Sequence, residues 1–192
     1  RQERRKGRLR NSLPIISLVG YTNAGKSTLL NTLTDSKVYA ESKMFATLDP
    51  TSRRLRLPYE QEVIINDTVG FIRDLPETLV AAFRATLEEI SDSDLLIHVV
   101  DASNPRAMQQ IESVDKILND LELSEIPYII ALNKSDLLDK KSIKALQRQI
   151  KFEKNRESIA ISAIQSKTLK AMLERIGEIL AKDLSQFAYQ TV

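Results

Sequence analysis

Eight consecutive residues constrain this chain more than any others: Gly20-Tyr21-Thr22-Asn23-Ala24-Gly25-Lys26-Ser27, an ungapped G-x-x-x-x-G-K-[ST]. The run Pro14-Ile15-Ile16-Ser17-Leu18-Val19 before it reads as a short buried strand, and Ser27 to Leu33 after it reads as a helix. Two glycines let the backbone wrap closely around phosphate oxygens with amide N–H groups pointing inward. The helix that follows adds the positive end of its dipole. Lys26 is placed to reach the β- and γ-phosphates, and the Ser27 hydroxyl to ligate Mg²⁺, with Thr28 next to it on the helix. A chance glycine turn would not need a strand before it and a helix after it. The motif calls for a nucleoside triphosphate without saying which one.

The rest of the chain repeats that alternation. Further apolar runs fall at Glu62–Asn66, Leu95–Val100, Tyr128–Leu132 and Ser158–Ile161. Helical periodicity covers Glu77–Ile90, about Pro105–Leu121, Ser142–Gln149 and Leu169–Leu180. Strands that are apolar throughout and separated by helices predict an α/β fold of the P-loop NTPase class, a mainly parallel sheet with helices on both faces. Segment 51–60 is expected to add one antiparallel edge strand.

Three further strand ends carry chemistry. Asp67-Thr68-Val69-Gly70 follows the Glu62 strand. A carboxylate there can hold Mg²⁺ through water, and Gly70 leaves room for its N–H to approach a γ-phosphate; the plain alternative is a strand-end turn. Asn133-Lys134-Ser135-Asp136 follows the Tyr128 strand. Guanine presents N1–H and an exocyclic amine side by side, and one carboxylate, Asp136, can accept both. Adenine would leave that carboxylate unpaired. Asn133 braces the loop and approaches the base, while the Lys134 stem packs over its face. Ser162-Ala163, with Ile164 beyond, is where a backbone N–H can meet guanine O6. Each pattern is weak alone; their order and strand-end placement make them strong together.

In that order, these motifs are those of translation-factor-like P-loop GTPases. The finer wording, GYTNAGKSTLLN at 20–31, FATLDPTSR at 45–53 and DTVGFIRDLP at 67–76, resembles the HflX family of ribosome-associated GTPases. The likeness runs from about residue 13 to 182. It implies GTP or GDP with Mg²⁺ as cofactors and the large ribosomal subunit and its RNA as partner, in ribosome splitting, rescue or assembly. It also makes Thr47, within Phe45-Ala46-Thr47-Leu48-Asp49, the switch threonine that closes onto Mg²⁺; residue types alone leave Thr51 as the alternative. Lys26, Thr47 and Gly70 are then the catalytic set.

Ras-like proteins orient the attacking water with a glutamine directly after Asp-x-x-Gly. Here Phe71 stands there, and a phenyl ring offers no such hydrogen bond. The domain is therefore expected to be a slow hydrolase stimulated by the ribosome. Alternatives from other classes are a nucleotide-gated ribosome- or RNA-binding module with little functional turnover, and an ATP-dependent enzyme, against which Asn133–Asp136 argues. Arg73 reads either as an arginine finger or as a solvated or RNA-facing cation.

His98 lies mid-strand among apolar neighbours and reads as a satisfied core histidine. Asp101, at its strand's end, reads as a cap for the following helix. Glu88 and Glu89 read as a solvated face. No cysteine occurs, so disulfides, thiolate zinc sites and cysteine nucleophiles are excluded, consistent with a cytoplasmic chain. No apolar run approaches 18 residues, and signal-peptide features are missing.

The formal charge is +2 and the pI about 8.8. Residues 1–10 hold six cations and one anion, which leaves 22 against 25, or −3, for residues 11–192. Basicity thus sits in the lead-in, and RNA contacts are expected from it or from Arg53, Arg54, Arg56 and Arg73. The Arg53–Arg56 cluster reads equally as charge protecting an edge strand. The first residue being arginine, the chain reads as a fragment: 1–12 the end of a linker helix from an N-terminal domain, 13–182 the GTPase domain, 183–192 a tail, and the isolated domain a monomer.

Overall fold

Parallel strands covered on both faces must be apolar on both, and the sheet here follows that rule. The computed structural model describes residues 13–35, 52–67 and 90–189. The strands are β1 (Ile15–Val19), β2 (Ser52–Arg56), β3 (Glu62–Asp67), β4 (Leu95–Asp101), β5 (Tyr128–Asn133) and β6 (Ser158–Ala160). The helices are α1 (Lys26–Asp35), α2 (Ala107–Asp120), α3 (Lys140–Lys154) and α4 (Lys170–Tyr189). Sheet order is β2-β3-β1-β4-β5-β6, with β2 antiparallel to β3 and the remaining pairs parallel. Segment 51–60 thus supplies the antiparallel edge strand.

Successive residues of β4 alternate between two cores. Leu95, Ile97 and Val99 join Leu29 and Leu33 of α1 and Met172, Leu173 and Ile176 of α4. Leu96 and Val100 join Ile111, Val114 and Leu118 of α2 and Ile150 of α3. The α2 stripe Ala107, Ile111, Val114, Leu118 has the i, i+4, i+7, i+11 spacing that keeps one helix face inward.

Helix ends differ from the periodicity for local reasons. The α3 helix starts two residues before Ser142 because Asp139 caps it, accepting from Lys141 N at 2.7 Å and Ser142 N at 2.9 Å. It runs past Gln149 until Asn155 turns left-handed (φ 49°). The α4 helix continues from Lys170 to Tyr189, beyond Leu180. Of the expected helix Glu77–Ile90 only Ile90 is among the described residues, and Glu88 and Glu89 lie outside them.

His98 corrects the sequence reading in one respect. It is a core residue with no exposed surface, but neither ring nitrogen has a hydrogen-bond partner among the described residues. Burial, with the Lys26 charge adding to it, pulls its pKa down to about 3. The folded ring is neutral, so below pH ~6.5 the unfolded chain binds a proton that the folded chain refuses. Stability is therefore fully present above that pH and falls by up to ~1.4 kcal/mol per unit as pH drops toward 3. Urea unfolding at stepped pH values checks this: His98→Leu should flatten the dependence by about one proton, and an unchanged slope would remove the assignment.

Candidate functional site

All the parallel strands end on one edge of the sheet, so their C-terminal residues gather there. Leu18 lies beside Asp67, and Asp101 beside Asn133. The order reverses direction around β1, whose neighbours β3 and β4 follow later in the chain. The crevice at such a switch point is where open α/β sheets bind ligands.

The 20–27 loop leaves β1 there. Gly20 has φ 145°, and a Cβ on it would stand 2.3 Å from Val99 O; Gly25 has φ 98°, and its Cβ would stand 2.3 Å from Asn133 Nδ2. Both contacts are below what atoms tolerate, so glycine is required at each position for fit as well as for dihedral freedom. Asn23 adopts a left-handed φ of 62°, while Thr22 and Asn23 are exposed and Ala24 is buried. Lys26 opens α1 and is 7% exposed; its Nζ donates to Gly20 O at 3.0 Å and Tyr21 O at 2.9 Å. Burial lowers the Lys26 pKa, and the Asp67 carboxylate opposes that effect. The ammonium is thus held at the mouth of the loop with loop carbonyls as its only partners among the described residues.

Ser27 Oγ donates to Asp67 Oδ2 at 2.6 Å, and Asp67 Oδ1 is buried without a partner among the described residues. One hydroxyl and one carboxylate carrying an unsatisfied oxygen form a hard-oxygen pair. That pair fits Mg²⁺, which is commonly held by one or two carboxylates plus phosphates and water. No group of three His, Cys, Asp or Glu suited to a metal occurs among the described residues, so these residues alone offer no closed cage.

Asn133 joins the two ends of the site. It is 2% exposed; its Nδ2 donates to Ala24 O at 2.8 Å, and its Oδ1 accepts from Ala163 N at 2.8 Å. Its backbone carbonyl accepts from Ala102 N at 2.9 Å. Lys134 follows in a left-handed conformation (φ 59°), and Asp136 is exposed on the turn Ser135–Leu137. Ser135 N donates to Ile161 O at 3.1 Å, tying this turn to the segment after β6. Ser162 Oγ is buried with no partner among the described residues, and Ile164 is 72% exposed.

Asp101 does not cap the next helix. Its Oδ1 accepts from Ser103 N at 3.0 Å and Ser103 Oγ at 2.6 Å, and its Oδ2 pairs with Lys134 Nζ at 2.5 Å. Burial pushes its carboxyl up, but the bonds from Lys134 and Ser103 outweigh this and hold it below the usual range. The approach to α2 is instead held by Asn104, whose Oδ1 accepts from Arg106 N at 2.8 Å. Register explains the difference: Asp101 stands beside Asn133, one residue from Lys134.

Two threonines that the sequence did not single out hold the segment after β6. Thr32 Oγ1 donates to Ala163 O at 2.5 Å, and Thr168 Oγ1 accepts from Ser162 N at 2.8 Å. Thr32 lies 131 residues from Ala163, and no local pattern announces such a contact.

Phe45, Ala46, Thr47, Leu48, Asp49, Thr51, Thr68, Val69, Gly70, Phe71 and Arg73 lie outside the described residues. Arg53 is exposed on edge strand β2, while Arg56 is half-buried and ion-paired to Glu60. No helix among the described residues is long and apolar enough to cross a membrane.

Known proteins resemble this chain in sequence and in fold. A family model described as "50S ribosome-binding GTPase" matches residues 15–134. The GTPase HflX of Caldanaerobacter subterraneus subsp. tengcongensis is 48% identical over 183 residues, covering 95% of this chain and 40% of the relative. That of Escherichia coli (strain K12) is 49% identical over 139 residues, covering 72% and 33%. The chain thus spans less than half the length of these relatives. Among solved structures, a GTP-binding protein from Sulfolobus solfataricus in complex with GDP superposes with a TM-score of 0.72 at 29% identity, over 88% of this chain and 53% of that one. The FeoB G-domain from Methanococcus jannaschii shares the fold, with a TM-score of 0.58 at 20% identity over 88% and 98%.

Proposed function

The chain belongs to the HflX family of GTPases, and on that premise we propose that it binds GTP and GDP with Mg²⁺, hydrolyses GTP slowly alone, and acts as a nucleotide switch on the large ribosomal subunit and its RNA. Splitting, rescue or assembly of ribosomes would be its task, in the cytoplasm and as a monomer. One observation carries the nucleotide half of this reading. Asn133 hydrogen-bonds both to the loop at 20–27 and to Ala163, so a phosphate grip and a base grip form one connected frame.

Within that frame each residue has a task. Amides of the 20–27 loop and the start of α1 bind phosphate oxygens. Lys26 exchanges its bonds to the Gly20 and Tyr21 carbonyls for β- and γ-phosphate oxygens. Ser27 and Asp67 would hold Mg²⁺, which when bound would neutralise charge on the phosphates. Asp136 accepts from guanine N1–H and the exocyclic amine. Lys134, fixed by Asp101, covers the base, and the segment Ser162-Ala163-Ile164 meets its O6.

Thr47 would close onto the metal and Gly70 would approach the γ-phosphate, as the family resemblance implies. Phe71, standing where a water-orienting glutamine would be, is the reason for slow turnover. It also supports a second reading, in which GTP occupancy orders the switches and gates binding while turnover matters little. Hydrolysis measured with and without purified large subunits tests the proposal. Stimulation of at least ~10-fold is expected, because completing a water-orienting geometry is worth orders of magnitude in this chemistry. Equal rates would refute the ribosome-stimulated enzyme and leave the gated module.

A further inference from the structure

Residues 1–10 are one concentration of basic charge in this chain, and helix α3 is a second. Helix α3, Lys140–Lys154, holds six cations and one anion, +5. With the lead-in also set aside, the remaining residues hold 16 cations against 24 anions, −8. One described helix is therefore strongly cationic on a domain that is otherwise acidic.

The cations are also sorted on the helix. At 100° per residue, Lys140, Lys141, Lys144, Arg148 and Lys151 fall within an arc of about 100°, with Phe152 on its border. All five are exposed, and Phe152 is 91% exposed. The opposite face is engaged: Ile150 is buried, Leu146 packs against the same core, and Lys154 is paired with Glu112 at 3.0 Å. None of Lys140, Lys141, Lys144, Arg148 and Lys151 has an acidic partner among the described residues. Such a stripe of like charges repels itself.

We propose that the Lys140–Lys151 face of α3 is a docking surface for the phosphate backbone of structured RNA, with Phe152 stacking on an unpaired base at its end. Phosphates spaced along a strand match a row of flexible ammonium and guanidinium groups, and an exposed ring beside such a row is how aromatic side chains take unstacked bases. Two other occupants fit less well. A protein interface core is depleted in lysine, and this face offers one apolar side chain. A membrane surface needs an apolar face to bury, but that of α3 already lies against the sheet. Because α3 directly follows the Asn133–Asp136 turn, which meets a base that GTP and GDP share, docking here should be insensitive to whether GTP or GDP is bound. The proposal deepens the ribosome reading and rests on it for the source of the RNA.

The test replaces Lys140, Lys144, Arg148 and Lys151 with glutamine, which keeps helix propensity and removes charge. Binding of the chain to large ribosomal subunits, to purified ribosomal RNA and to phosphatidylglycerol vesicles is measured across a KCl series, in GDP and in a non-hydrolysable GTP analogue. The fourfold variant should bind subunits and naked RNA at least ~10-fold more weakly near 0.15 M salt, with the slope of log Kd on log[KCl] reduced by roughly 2–4. GDP affinity and intrinsic hydrolysis should stay within about twofold, which also reports an intact fold. Phe152→Ala should weaken RNA binding by roughly fivefold or more without changing the slope. Wild-type and variant curves that coincide on subunits overturn the α3 surface while leaving the ribosome reading in place. Loss of naked-RNA binding in the variant, with no wild-type binding to subunits, supports α3 and removes the ribosome. Binding to vesicles alone, or to none of the three, overturns the proposal.

Discussion

Asp136→Asn should lower affinity for guanine nucleotides by on the order of 10²–10⁴-fold and raise affinity for xanthine nucleotides above it. Two charge-assisted hydrogen bonds, each worth about 1.5–3 kcal/mol, run from guanine to one carboxylate. An amide in its place presents one oxygen and one N–H₂, so one guanine donor then faces another donor. Xanthine carries a carbonyl where guanine has the amine and accepts that N–H₂. Asp136 is exposed on its turn, so the exchange should change stability by no more than about 0.5 kcal/mol. Competition between GDP and XDP against a fluorescent nucleotide reads the effect. A variant that still prefers GDP would mean that the carboxylate does not receive the base edge.

Asn133→Ala attacks the frame itself. The substitution strands the Ala24 carbonyl and the Ala163 N–H in a region where Asn133 is almost fully enclosed. Leaving two buried groups unpaired costs about 2–5 kcal/mol in total, less whatever the loops recover by moving. In a domain of this size that corresponds to a loss of roughly 5–15 °C in Tm. Nucleotide affinity should fall by more than ~10²-fold, because the phosphate loop and the Ser162-Ala163 segment no longer share a support. Thermal unfolding with and without excess GDP separates the parts: Tm should drop without ligand, and the GDP-dependent rise should nearly vanish. Affinity within threefold of wild type would show that the two grips are independent.

Much of this site was legible because its signals are local. Gly20 to Ser27 specifies its own dihedrals and its own place between strand and helix. Strands such as Leu95–Asp101 show through their continuous apolarity, since both faces are covered. What stayed hidden depends on register or distance. Asp101 looked like a cap until the pairing of β4 with β5 set it beside Asn133, within reach of Lys134. Thr32 and Thr168 act on residues that no periodicity connects to them. His98 looked satisfied because buried histidines ordinarily find partners, and only packing shows that this one lacks them among the described residues. The α3 charge was present in the composition, but averaging over residues 11–192 cancelled it against acidic segments elsewhere.

The most direct test of the account is the wild-type arm of the Asp136 experiment, extended to adenine. GDP and ADP are titrated against the unmodified chain in the presence of Mg²⁺. The frame of Lys26, Asn133, Asp136 and Ala163 predicts that GDP binds at least ~10³-fold more tightly, since adenine leaves the carboxylate unpaired and cannot donate from N1. Comparable affinities would contradict the reading of this site as a guanine-nucleotide site, whatever the phosphate loop binds.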